Sequence, residues 1–531
     1  MKSFKLFILE NKIQILIVYF ITVSMVFLSL SVSENTKIFY DHAFSSNKLS
    51  ELRNTFLQIV FSYVVILILS IWSNILSHKI LYKGMLGIRK CMLKSFLHTS
   101  FDYFSKNTTG KIWSETVSTT NEICPFFYSI LLSPVDMLEA LIYASIIFSS
   151  SFTGGLIITA FVPLIIAATF FSGKSFRKKR GDGLSIFRKI ASFAVETLSA
   201  TKLIKTTSSH DYFLEKFSKN HRIMNDIDIK VSVINNYVDS IQNIVVILAP
   251  LITVFLSSGI TSGNSVGNLV ILYTFTPLFF NSFRSLYSKL FNFFGVKPSL
   301  SSVENVLSLR SERFSSKLMD ERIKISIRNF EYDFDDKSIS IPDFVINPGD
   351  KILISGESGL GKSTLFNCLT GIHSDFENSI SINGVNIKEY DLYHLRKQII
   401  LVNQDNLIFT GNLRENIQLG LTEEVFEEDF INILKPLNLE ELNAREIINN
   451  DKLSRGEKTR INLAQALLRR PDILLIDETL SSVDESLERE ILEDIFSEYP
   501  GTSVVYITHR LSVKDLFDHV VSLVGTNMKI L

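Results

Sequence analysis

Six long apolar runs fill the first 297 residues, at roughly 13–33, 54–78, 124–151, 155–172, 237–257 and 266–294. Each comes near the ~20 residues that carry a helix across a hydrocarbon core. Backbone groups in hydrocarbon must be satisfied within the segment, so runs of this length read as helices. The first half is therefore expected to be a polytopic α-helical membrane domain. Composition agrees, with 46% hydrophobic residues and a mean hydropathy of +0.23. The 54 basic residues balance 55 acidic ones, which argues against a polyanion-binding protein.

Basic residues between the runs set an orientation. Stretch 34–53 carries three, and 152–154 and 258–265 carry none. Stretch 79–123 carries seven and 173–236 carries thirteen, including Arg177, Lys178, Lys179 and Arg180. The positive-inside rule places both long loops, and with them both termini, in the cytoplasm. No A-x-A-like cleavage site follows the first run, so it is expected to be a retained helix. Cys91, Cys124 and Cys368 are odd in number and far apart, which indicates neither a disulfide framework nor a zinc site.

Both long loops repeat apolar residues at helical spacing, Met85, Ile88, Met92 and Phe96 in one and Phe187, Ile190 and Phe193 in the other. They are expected to continue the membrane helices outward, turn and return. Asp136 and Glu139 lie three apart in the third span. They are expected either to sit in cytoplasmic water, to pair with Arg284 or Lys289, or to face a cavity that attracts cationic cargo. Stretch 298–322, polar with Pro298 and repeated Ser, reads as a linker. The expected division is thus 1–297 membrane domain, 298–322 linker and 323–531 soluble domain.

The soluble domain alternates β-rich and helical segments and is expected to be α/β. "KILISGESGLGKSTLFNCL" (351–369) is a strand, a glycine-rich loop and a helix, with Gly356-x4-Gly361-Lys362-Ser363 at its centre. This P-loop pattern makes Gly356, Glu357, Ser358, Gly359, Leu360, Gly361, Lys362, Ser363 and Thr364 the expected phosphate cradle of ATP. Backbone N–H groups converge on phosphate oxygens, Lys362 reaches the β/γ-phosphates, and Ser363 is placed for Mg²⁺. "DILLIDE" (472–478) is a second buried strand, delivering Asp477 to hold the metal and Glu478 to orient or deprotonate water. "KLSRGEKTR" (452–460) reads locally as an ordinary helix start, with Ser454 as cap.

In this order the features resemble the ATP-binding-cassette transporters, of the exporter type with six helices fused to one nucleotide-binding domain. Tyr332 in "NFEYDF" resembles the aromatic stacked on adenine, and Gln404 in "LVNQD" the glutamine that senses metal and attacking water. "FTGNLRENI" (409–417) resembles the stretch that follows it. "LSRGE" (453–457) is similar to the signature motif, "SSVD" (481–484) brings Asp484, and His509 in "ITHR" matches the histidine that contacts the γ-phosphate. The resemblance implies that Ser454 and Gly456 complete the ATP site of a second subunit, so two chains pair head to tail. It extends to the loops at 100–123 and 191–217, with Phe104 and Gly110 at familiar places, and covers about residues 20 to 525.

Three departures stand out. Arg455 and Glu457 replace the commoner glycine and glutamine of the signature. "REIINND" lacks the usual Gly-Glu-x-Gly pattern that couples to the membrane loops, and the chain stops soon after a last strand. The expected activity is ATP-driven export of a peptide, lipid or drug-like substrate by a homodimer, or a pair of similar half-transporters, in a cytoplasmic membrane. An ATP-gated sensor or channel on the same scaffold is the alternative, disfavoured by the intact Glu478 and His509. An importer is disfavoured by the fusion order. No cysteine-protease domain precedes the first helix, which disfavours a leader-cleaving peptide exporter, and the Lys/Asn/Ile/Phe-rich composition suggests an AT-rich bacterial genome.

Overall fold

The computed structural model describes all residues except 1, 46–48, 261–265, 310, 313–316, 318, 320–321, 335–336, 358, 374–375, 377–378, 404–406, 422–424, 525–526 and 531. Its contacts divide the chain into two units. One comprises Met1–Thr99 and Tyr103–Arg310, the other Ser100–Asp102 and Ser311–Leu531.

Every apolar run of the first half is helical. The helices are α1 (Lys2–Ser45), α2 (Leu49–Leu97), α3 (Asp102–Lys106), α4 (Thr109–Ser150), α5 (Phe152–Ser199), α6 (Thr201–Thr207), α7 (His210–Ile260) and α8 (Val266–Leu307). Among the described residues, four stretches are long and apolar enough to cross a membrane: Ser3–Ala43, Ser50–Leu97, Thr109–Ser150 and His210–Leu256. The fourth and sixth expected spans lie in α5 and α8, which are continuous helices of 48 and 42 residues. Ile13, Phe20, Phe61 and Trp72 are 63–75% exposed, a surface that suits lipid and not water.

The helices outrun the hydropathy signal. Both long loops are helical extensions that turn at α3 and at α6 and return, as expected. One residue makes the turn between α4 and α5. The Ser151 backbone N–H donates to the Ile147 carbonyl at 2.9 Å, and its hydroxyl accepts from the Gly154 N–H at 3.1 Å, closing one helix and capping the next.

At its other end α8 continues through Pro298 to Leu307, into the stretch expected as linker. The serines that suggested a linker are occupied. Ser299 donates to Glu122 of α4 at 2.5 Å, and Ser302 donates to Glu115, which also pairs with Arg188 at 3.1 Å. The same α4–α8 seam carries the two acids of the third span. Asp136 accepts from Ser285 at 3.1 Å and pairs with Lys289, and Glu139 accepts from Ser282 at 3.1 Å. Arg284 instead donates to Asn243 at 2.8 Å. Of the three readings, the geometry draws pairing with Lys289 for Asp136, while Glu139 bonds to Ser282.

That pair has side chains only 14% and 18% exposed. Asp136→Asn is therefore expected to strand the Lys289 ammonium, at a cost on the order of 3 kcal/mol. Thermal unfolding in detergent should show a clear drop, partly recovered by adding Lys289→Met. An unchanged midpoint in the single variant would contradict the pairing.

In the second unit a six-stranded sheet has the order β12–β11–β5–β10–β9–β8. Its strands are β5 (Lys351–Gly356), β8 (Ile399–Val402), β9 (Ile473–Asp477), β10 (Ser503–Ile507), β11 (His519–Val524) and β12 (Asn527–Ile530). All neighbours are parallel except β12, which runs antiparallel to β11. Alternate residues enter different cores, as a sheet buried on both faces requires. Leu353, Leu474, Ile476, Val504 and Tyr506 pack with helix Arg455–Leu467 and helix Glu485–Glu498. Ile352, Ile354, Leu475, Val505 and Ile507 face helix Lys362–Leu369 and an antiparallel sheet. That sheet joins β1 (Ile325–Ile327), β4 (Phe344–Ile346), β6 (Ile380–Ile382) and β7 (Val385–Asn386), while β2 (Phe330–Phe334) pairs with β3 (Lys337–Ile341).

Candidate functional site

Parallel strands share a C-terminal edge, and β5, β10 and β9 each end there in a polar loop. After β5 the backbone needs glycine. Gly359 and Gly361 have φ of +89° and +88°, and a Cβ on Gly361 would lie 2.1 Å from Ile339 Cγ2. Gly361 then opens helix Lys362–Leu369 with no side-chain cap, leaving its first N–H groups aimed at the loop. Glu357, Gly359 and Ser363 are exposed there, while Leu360 packs against the core and Thr364 is half-buried. Ser358 lies outside the described residues.

Lys362 is 6% exposed and folds over the loop, donating from Nζ to the Gly356 and Glu357 carbonyls at 2.7 and 2.8 Å. Burial pulls its pKa below the ordinary lysine range, opposed by the charges of Glu478 and Asp477. Burial likewise pushes Asp477 up, and a hydrogen bond from the Ser363 hydroxyl and the nearby Lys362 charge pull it back. A hydroxyl beside a carboxylate is the hard oxygen donor set that suits Mg²⁺ with retained waters. Gln404, the third expected metal contact, lies outside the described residues. Among the described residues no group of three or more His, Cys, Asp or Glu side chains forms a further metal site.

Glu478 has a left-handed backbone, φ +52°, which costs a non-glycine residue on the order of 1 kcal/mol. Backbone bonds hold it: its N–H donates to the Ile507 carbonyl at 2.9 Å, and its carbonyl accepts from the Ser481 N–H at 3.2 Å. The twist brings the carboxylate within 2.8 Å of His509 Nε2 at the end of β10. An acid and an imidazole from different strands thus meet beside the lysine.

"KLSRGEKTR" supplies a full capping box. The Glu457 N–H donates to Ser454 Oγ at 3.2 Å, and the Ser454 N–H donates to Glu457 Oε2 at 2.7 Å. Burial raises the Glu457 pKa, but both Ser454 bonds and the charges of Arg445 and Arg460 outweigh it and hold the carboxyl below its ordinary range. The unusual glutamate therefore acts locally as a cap. Ser454 is exposed, and a Cβ on Gly456 would come within 3.3 Å of the Ser482 carbonyl, so glycine lets the helix start press on the 481–484 loop. Asp484 is exposed at the N-cap of helix Glu485–Glu498, with no side-chain cap bond.

Tyr332 lies on β2. It is 6% exposed, belongs to the core beneath the sheet, and lies with its ring centroid 5.4 Å from that of His373. The ring expected to stack on adenine is thus mostly buried in this structure. Sequence reading passed over Arg510, Glu488 and Tyr506, which bond to one another and to the 481–484 loop. An arginine directly after His509 and a glutamate one turn into the next helix were the available signals.

The ABC transporter transmembrane region family matches residues 13–283, more than half the chain, and the ABC transporter family matches 340–481. The chain belongs to the ABC transporter family. An ATP-dependent lipid A-core flippase of Vibrio cholerae serotype O1 is 22% identical over 457 residues, covering 82% of this chain and 78% of the relative. One from Francisella tularensis subsp. tularensis is 24% identical over 481 residues, covering 85% and 76%. A solved bacterial Atm1-family ABC exporter with ATP bound superposes with a TM-score of 0.87 at 19% identity, covering 98% of this chain and 95% of that one. This transporter has the exporter architecture, a helical membrane region followed by an ATPase in one chain, and its ATPase activity is coupled to transport.

Proposed function

We propose that two copies of this chain, in the cytoplasmic membrane of a bacterium with both termini inside, export an amphiphilic substrate by alternating access. In this reading residues 1–297 form the membrane domain and 323–531 the nucleotide-binding domain. The observation that carries it is the convergence of Lys362, Ser363 with Asp477, and Glu478 with His509 at one sheet edge, alongside an exposed Ser454 helix start on the same chain. Lys362 and the P-loop N–H groups would hold the phosphates, Ser363 and Asp477 the Mg²⁺, and that ion would offset charge on the phosphates. Glu478 would take a proton from water and His509 would steady it, since phosphoryl transfer needs mainly positioning and charge balance. Ser454 and Gly456 of one copy would close on the phosphates held by the other, with Asp484 beside them. Closure would turn the membrane helices outward, and hydrolysis would release them. Peptide, lipid and drug-like substrates share the amphiphilic chemistry proposed, and the flippase relatives favour a lipid.

Vesicles containing the purified chain test this. With Mg-ATP they should hydrolyse ATP and move a fluorescent lipid between leaflets, and omission of Mg²⁺ should stop both. Hydrolysis with no movement of any lipid would exclude the lipid class, and no hydrolysis in lipid would overturn the catalytic assignment.

A further inference from the structure

We infer that Arg510 is a positioning residue, which locks the loop carrying His509 to the segment that follows Glu478, so that acid and imidazole stay in register. Its guanidinium joins the 481–484 loop and helix Glu485–Glu498 through three acceptors. Nη1 donates to the Val483 carbonyl at 2.8 Å and to Glu488 Oε2 at 2.7 Å, and Nη2 donates to the Ser481 carbonyl at 2.8 Å. Ser481 reaches Glu478 directly, its hydroxyl donating to the Glu478 carbonyl at 2.5 Å. One residue therefore separates Arg510 from the backbone of the expected base.

The other side of the lock is a buried carboxylate. Glu488 is fully buried and its two oxygens are divided, one accepting from Arg510 and the other from the Tyr506 hydroxyl at 2.6 Å. Tyr506 lies on β10, three residues before His509, and Arg510 lies one after it. A single carboxylate thus anchors the histidine loop at both ends. The Arg510 N–H also donates to Thr508 Oγ1 at 3.1 Å, which fixes the loop's own turn. Thr459 of the signature helix adds a contact from below, its hydroxyl lying 3.2 Å from that of Ser482. Helix start, 481–484 loop and histidine loop are consequently one bonded assembly.

Charge alone does not explain the arrangement. A lysine carries the same charge, but a point ammonium cannot reproduce a planar fork that serves two carbonyls and a carboxylate. Arg510→Lys should therefore keep the buried Glu488 neutralised while releasing the 481–484 loop. This inference rests on Glu478 and His509 being the catalytic pair, and the experiment separates the two failures.

The test is ATP hydrolysis and ATP-analogue binding by the purified full chain. Arg510→Lys should lower kcat by about 10²-fold, as a small misplacement of reacting groups does. Analogue Kd should stay within about twofold, because the P-loop is untouched. Combined with His509→Ala, Arg510→Lys should add less than about a twofold loss in single-turnover rate, because both act on one unit. Wild-type kcat in Arg510→Lys, equal weakening of binding and turnover, or fully additive losses would each overturn the inference. If Arg510→Lys does not fold, Tyr506→Phe removes one hydroxyl only and should show a smaller loss with the same non-additivity; additivity there overturns it too. Retained turnover in Glu478→Gln would instead defeat the catalytic pair itself.

Discussion

Lys362→Ala is expected to reduce ATP hydrolysis by about 10³-fold or more, the scale of removing a charge-stabilising donor from a reaction centre. Nucleotide affinity should fall at least about tenfold, since hydrogen bonds to charged groups contribute roughly 1.5–3 kcal/mol. The geometry gives the reason. This ammonium is buried, bonded to the Gly356 and Glu357 carbonyls, and close enough to Asp477 and Glu478 for their charges to oppose its loss of a proton. Alanine leaves the glycine cradle intact and removes its cation. Steady-state kinetics and analogue titration of the folded variant check this, and turnover near wild type would refute the assignment.

The second large effect separates binding from chemistry. Glu478→Gln keeps the shape of the side chain and an amide oxygen within reach of His509 Nε2, now 2.8 Å from the carboxylate. Loss of the base should lower kcat by about 10²–10⁴-fold, with affinity for ATP preserved because Lys362 and the P-loop are unchanged. ATP should then accumulate in a closed pair of chains. Cysteine cross-linking between a residue placed near Ser454 and one near the P-loop of another copy should rise with ATP in this variant. Cross-linking indifferent to ATP would rule out the head-to-tail arrangement.

What the chain reveals by reading depends on how local the cause is. The P-loop, Asp477 and Glu478 are legible because each follows its own apolar strand, and adjacent residues dictate the turn. Ser454 is legible as a cap for the same reason, its partner Glu457 being three residues away. Arg510 was not legible, since its partners Ser481, Val483 and Glu488 lie on other elements, brought near only by the sheet order. At Tyr332 the local pattern is that of an adenine platform, while its neighbour His373 comes from a different part of the chain and was not legible beside it. The end of α8 misled. Proline and serine are ordinary loop signals, but Ser299 and Ser302 spend their hydroxyls on Glu122 and Glu115 of a neighbouring helix.

That seam between α4 and α8 has a mechanical meaning. Glu115, Glu122, Asp136 and Glu139 meet Ser302, Ser299, Ser285 and Ser282 in antiparallel order, like teeth along two racks. Slipping the racks by one helical turn, about 5.4 Å, would break all four rungs at once and part Asp136 from Lys289. Partly buried carboxylates left without donors are expensive, so the rungs oppose axial sliding of this pair. The two helices form one stiff beam. Any rearrangement that reshapes the membrane unit has to be taken up along seams without such teeth.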